Sequence, residues 1–87
     1  MEKTQYDIIL SAMLIDSPDK KVWDARDFQR GKYFVGYEAT ARISELVRMY
    51  PSVFIVAKDG RFRTIEINWK NKRAVKEQIK RLKTLYY

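Results

Sequence analysis

The chain has 87 residues, of which 46% are apolar by type and 12 are aromatic, enough for one modest hydrophobic core and too few for two. Cysteine and histidine are both absent, which excludes disulfides, thiolate metal sites, His-based triads and cysteine nucleophiles. The net charge of +7 is uneven: residues 1–57 hold eight basic and eight acidic side chains, whereas 58–87 hold ten basic and three acidic. That excess suits a polyanion, either nucleic acid or an acidic membrane surface, or else marks a solvated Lys-rich helix.

Taken in chain order, residues 4–16 predict a helix. Thr4 with Asp7 three later resembles a capping box, and Tyr6, Ile9, Leu10, Met13 and Leu14 follow the spacing of one buried face. Asp16-Ser17-Pro18-Asp19 breaks it. Lys20 to Trp23 is a short extended entry, long enough for a single edge pairing. Asp24 is a plausible N-cap for a short helix over 24–30 that Gly31 stops, with Ala25 and Phe28 facing inward. A turn through Lys32 to Gly36 leads into a helix over 37–50, ended by Pro51. Ala39, Ile43, Leu46, Val47 and Tyr50 form its apolar stripe, and 100° steps put Tyr37, Ala41, Ser44 and Arg48 on the opposite side. Glu38 and Arg42 are an i, i+4 pair.

Val53 to Ala57 and Arg61 to Ile67 read as two strands joined across Lys58-Asp59-Gly60. With Asp59-Gly60 as a two-residue type I′ loop, Lys58 pairs with Arg61, Val56 with Arg63 and Phe54 with Ile65. The hairpin is then apolar at its base and basic at its tip. A last helix runs from about Asn71 to the end, capped by Asn68 or Asn71, with Val75, Ile79, Leu82 and Tyr86 spaced 4, 3, 4. Residues 1–70 form one domain, and 71–87 belong to it or serve as a dimerisation element.

Helix, short strand, helix, turn, helix and two-stranded hairpin, over roughly Tyr6 to Ile67, resembles the winged helix-turn-helix superfamily, in particular its small phage-type members. The most specific stretches are FVGYEATARISELV (Phe34 to Val47) and DGRFR (Asp59 to Arg63). The resemblance implies an α+β fold with residues 37–50 as recognition helix and 58–63 as wing tip. It further implies double-stranded DNA as partner, a role in transcription regulation, and the cytoplasm of a bacterial or archaeal cell, with a viral gene as one source.

The chemistry of the residues points the same way. A helix fits the major groove, where Thr40, Ala41, Ser44 and Arg48 can meet base edges or phosphates and Tyr37 can stack on a base or sugar or else pack on Phe34. Lys58, Arg61 and Arg63 at the tip, with Lys32 in the preceding turn, suit phosphates or a narrow minor groove. Charged hairpin tips also discourage edge-to-edge aggregation. Trp23 and Trp69 flank element junctions and read as core or boundary residues. Asp16, Asp19, Asp24 and Asp27 read as caps and turns rather than a metal site, three glycines leave no phosphate-cradling loop, and no cofactor, small-molecule ligand, membrane span or enzymatic activity is expected.

Two other functions compete. One is a protein-interaction module in a larger assembly, suggested by Glu45 on the recognition face and by the seam of the last helix. The other is nonspecific nucleic-acid binding through that basic helix alone. A helix of about 16 residues is marginal in water unless its stripe is covered. The cover for Val75, Ile79, Leu82 and Tyr86 is either the first helix with the outer hairpin face of Val53, Ile55, Ala57 and Phe62, or the same helix of a second chain. The homodimer is slightly favoured.

Overall fold

The computed structural model describes residues 2–87, less the side chains of Asp59 and Phe62. Thr4 starts the first helix: its hydroxyl accepts from the Asp7 amide, relieving one of the donors that a helix start leaves unpaired. Helix α1 spans Gln5–Ser11 and continues as a π turn, Ala12–Asp16, so the expected helix is present with a widened end. Ile9, Leu10, Met13 and Leu14 are buried and Tyr6 packs at the margin of the core.

Trp23 forms a single antiparallel bridge with Ile65, each amide donating to the other's carbonyl at 2.9 and 2.8 Å. Its ring stacks on Phe28 with centroids 5.3 Å apart, and its indole N–H donates to the Lys20 carbonyl. Asp24 and Asp27 close a reciprocal capping box over a 3-10 helix, Ala25–Phe28, which is shorter and tighter than the helix expected over 24–30. Gly31 follows at φ +82, and the Val35 and Gly36 amides both donate to the Phe28 carbonyl, folding the aromatic turn back onto this helix.

Helix α2 spans Ala39–Met49 and starts two residues later than expected, because Tyr37 and Glu38 form a turn in which Gly36 adopts φ +109. Ala39, Ile43 and Leu46 are buried beneath it. Strands β1 (Phe54–Asp59) and β2 (Phe62–Ile67) form an antiparallel pair. Their register differs from the expected one: Lys58 faces Arg63, Val56 faces Ile65 and Phe54 faces Ile67. The loop is therefore Gly60-Arg61. Gly60 has φ +62 while no described non-glycine residue has positive φ, the requirement of a II′ turn rather than I′. The slip is two residues, so every side chain keeps its face, and Phe54, Ile65 and Ile67 remain buried.

Helix α3 spans Lys72–Tyr86, with Asn71 rather than Asn68 accepting the capping hydrogen bond, from the Ala74 amide. It packs on α1 and the π turn. Val75 and Leu82 lie in the same core as the other elements, with Ile79 and Tyr86 packed against it. The first helix provides the cover, as one of the two alternatives has it, and two details are corrected. Of the outer hairpin face, Val53 is buried in this core but Ile55 and Ala57 are exposed; the Phe62 side chain lies outside the described residues. Nor is the full seam free for a second chain, since Val75 and Leu82 are already enclosed. The Lys3 and Tyr87 side chains meet: Lys3 Nζ donates to the Tyr87 hydroxyl at 2.9 Å and sits 4.7 Å from its ring centroid. The result is one α+β layer arrangement around one core.

Candidate nucleic-acid interface

The α2 positions expected to face a partner are open to solvent. Thr40, Ala41 and Arg48 are exposed and Ser44 is half-buried. Tyr37 is 98% exposed and so does not pack on Phe34, itself 60% exposed; both stand out ahead of the helix. Tyr37 belongs to the preceding turn, so its direction is not the one helical 100° steps assign it.

The hairpin is brought against this helix by Arg63, whose Nη1 donates to Ser44 Oγ at 3.2 Å. Thr40, Ile43 and Ser44 of α2, Arg61 and Arg63 of the hairpin, and Asp24 and Ala25 of the 3-10 helix line one cleft of about 340 Å³. Lys58 lies on the same hairpin face beside Arg61 and Arg63. No ion pair to Arg48, Lys58, Arg61 or Arg63 is found among the described residues. Lys32 is not brought to this cleft. It lines another, with Lys3, Ile8, Ser11, Asp16, Tyr33 and Phe34, and its ammonium lies over the Tyr33 ring.

The acidic neighbours are neutralised locally. Asp24 accepts from Arg26 at Oδ1 and Oδ2, at 3.1 and 2.7 Å, and the Arg26 hydrogen bonds hold its carboxyl below the usual range against the opposing effect of burial. Asp27 Oδ1 lies 3.4 Å from Lys20 Nζ. Glu45, expected on the recognition face, is not a free charge. It accepts from the Tyr6 hydroxyl and lies 3.4 Å from Arg42. The expected Glu38–Arg42 pair is replaced by this one, because Arg42 turns inward to α1, donates to Tyr6 at 3.2 Å and stacks over its ring. Arg42 Nε is left buried without a partner. The hydrogen bond to Glu45 raises the Tyr6 pKa above the ordinary phenol value.

A second polar cluster was not anticipated. Asp7 is buried, and its carboxylate accepts from Arg81 at 2.7 and 3.3 Å and from the Tyr86 hydroxyl. Burial pushes its pKa up, but the hydrogen bonds from Arg81 and Tyr86 and the Arg81 charge outweigh it, and the net shift is downward. The signal was present in the spacing: Asp7, Leu10, Ser11 and Leu14 stand at i, i+3, i+4 and i+7, on the buried face. A carboxylate there requires a cation from elsewhere in the chain.

Trp23 is core, whereas Trp69 at the β2–α3 junction is 43% exposed. Among the described residues, no helix is long and apolar enough to cross a membrane. No protein-family model matches this chain, and no curated protein or solved structure matches it significantly.

Proposed function

We propose that this chain is a winged helix-turn-helix protein that binds double-stranded DNA as a sequence-specific regulator, with α2 in the major groove and the β1–β2 tip on the backbone or in the minor groove. The observation that carries this reading is the Arg63–Ser44 hydrogen bond, which sets the basic hairpin against the outer face of α2. The order of elements supports it: a single bridge at Trp23, ahead of the 3-10 helix and α2, ties the chain to the second hairpin strand. Four cations without acidic partners among the described residues supply the charge. Helix α2 also begins without a side-chain cap: the Ala39 amide donates to the Gly36 carbonyl, and the Thr40 and Ala41 amides that follow are open to a phosphate. The alternative of a protein-docking module loses one of its two motives, since Glu45 is tied to Arg42 and Tyr6.

Fluorescence anisotropy with duplexes selected from a random pool tests the proposal. Arg48→Ala should relax selection at one base position by about 1–3 kcal/mol. The Arg61→Ala/Arg63→Ala double variant should weaken binding to every duplex and lower the salt slope by about 2. Failure of selection to enrich any sequence, together with an unchanged slope in the double variant, rejects the reading.

A further inference from the structure

Away from the α2–hairpin cleft, the densest charge lies on α3. Lys72, Lys76, Lys80 and Lys83 are all exposed, and at 3.6 residues per turn they fall within an arc of about 80°. The first three are spaced about 6 Å apart along the axis. Arg73 is drawn toward Glu77, the sole acidic residue of the helix, at 3.9 Å. The four lysines have no ion pair among the described residues. Three of them rim a shallow groove of about 450 Å³ together with Ile79 and Thr84.

We infer that this lysine stripe is a second contact surface for the phosphate backbone of duplex DNA, distinct from the α2–hairpin cleft, so that one chain holds two duplexes at once.

The fold keeps the two surfaces apart. Tyr6 and Asp7 are consecutive on α1 and point about 100° apart around its axis. Tyr6 reaches Glu45 and Arg42 of α2, whereas Asp7 reaches Arg81 and Tyr86 of α3. Helices α2 and α3 therefore flank α1 on different sides, and each turns its polar face outward. The apolar side of α3 argues for DNA over an acidic membrane. Val75 and Leu82 are enclosed and Ile79 and Tyr86 half-buried, so Leu85 is the one large apolar side chain that α3 leaves exposed among the described residues, too little for an apolar face to insert at a headgroup boundary. Phosphate contacts require only exposed cations. The choice of duplex DNA rests on the winged-helix reading; the charge and placement of the stripe do not.

Three proteins test the inference: the wild type, the quadruple variant Lys72→Gln/Lys76→Gln/Lys80→Gln/Lys83→Gln, and the Arg61→Ala/Arg63→Ala variant. All the substituted side chains are exposed, and circular dichroism checks that each variant is folded. Each protein is titrated with duplex between about 50 and 200 mM salt. Each is then asked to let a bead-bound duplex capture a second, fluorescent duplex. The wild type should take up two duplexes per chain in two phases; the quadruple variant should lose one phase, whose own salt slope is about 3–4 and which weakens about 100-fold across that range, and should no longer capture the second duplex. Capture absent from the wild type, or two phases and capture retained by the quadruple variant, overturns the inference and leaves the hairpin reading standing. A phase and capture lost in the quadruple variant, beside both phases unchanged in the Arg61/Arg63 variant, supports the stripe and counts against the hairpin. Wild-type binding to phosphatidylglycerol vesicles that the four substitutions abolish, with duplex binding unaffected, assigns the stripe to membranes and also overturns it.

Discussion

Asp7 shows what a single residue does in two settings. In the linear sequence it stands three after Thr4, where a capping partner belongs; in the fold its amide donates to Thr4 while its carboxylate is buried against Arg81 and Tyr86. The cap was legible because it depends on residues three apart. The buried pair was not, because its partners come 74 and 79 positions later. The same holds for Arg42, read as a local partner of Glu38 and found instead across the core margin at Tyr6. The depressed Asp7 pKa fixes a direction of pH dependence. Its stabilising contribution is complete above the unfolded carboxylate value of about 4 and is lost as pH falls below that toward the folded value. Asp7→Asn should cost about 1.5–3 kcal/mol at neutral pH, the range for hydrogen bonds to a charged group. Thermal unfolding followed from neutral pH down through the carboxylate range should show the variant's melting temperature falling less steeply on the acid side. Equal acid-side slopes for variant and wild type would remove Asp7 from the account.

The elements themselves follow from local rules. Periodicity marks α1, α2 and α3, and the Asp-Gly pair marks the hairpin. What local rules leave open is the choice between neighbouring solutions of similar energy. Gly60 serves equally as second residue of an Asp59-Gly60 loop or first of a Gly60-Arg61 loop. Both registers bury the same face, so hydrophobic patterning cannot choose between them. The bridge from Trp23 to Ile65, and the packing of Phe54 opposite Ile67, belong to the second arrangement. The α3 seam divides in a comparable way: spacing groups Val75, Ile79, Leu82 and Tyr86, but only tertiary packing decides that Val75 and Leu82 face inward. Leu82→Ala should therefore cost about 3 kcal/mol of stability, while Ile79→Ala costs about 1, in chemical denaturation. Sedimentation of both variants alongside the wild type checks the dimer separately. A wild-type dimer that Ile79→Ala dissociates, with Leu82→Ala harmless to stability, would mean that the seam faces a second chain after all.

At the scale of the molecule, the asymmetry of charge could be counted from the sequence, but its direction in space could not. Ten of the basic residues lie after position 57, yet the fold divides most of them between the hairpin tip (Lys58, Arg61, Arg63) and the outward side of α3 (Lys72, Lys76, Lys80, Lys83), and turns Arg81 inward to Asp7. Of the residues expected at the interface, Thr40, Ser44, Arg61 and Arg63 share the cleft and Lys32 does not, because the turn carrying it folds back toward α1. The handshake of Lys3 with Tyr87 has a consequence of another kind. With Lys3 and Tyr87 in side-chain contact, a linker between them would close the described polypeptide into a ring, and the position of the break in that ring is then a matter of which segment tolerates it. A circular permutant whose old ends are joined by a short Gly-Ser linker, and whose new ends open between the exposed residues Pro18 and Asp19, should fold cooperatively to the same helical content. It should melt within a few degrees of the parent, whereas a permutant opened between the buried Leu10 and Ser11 should not fold.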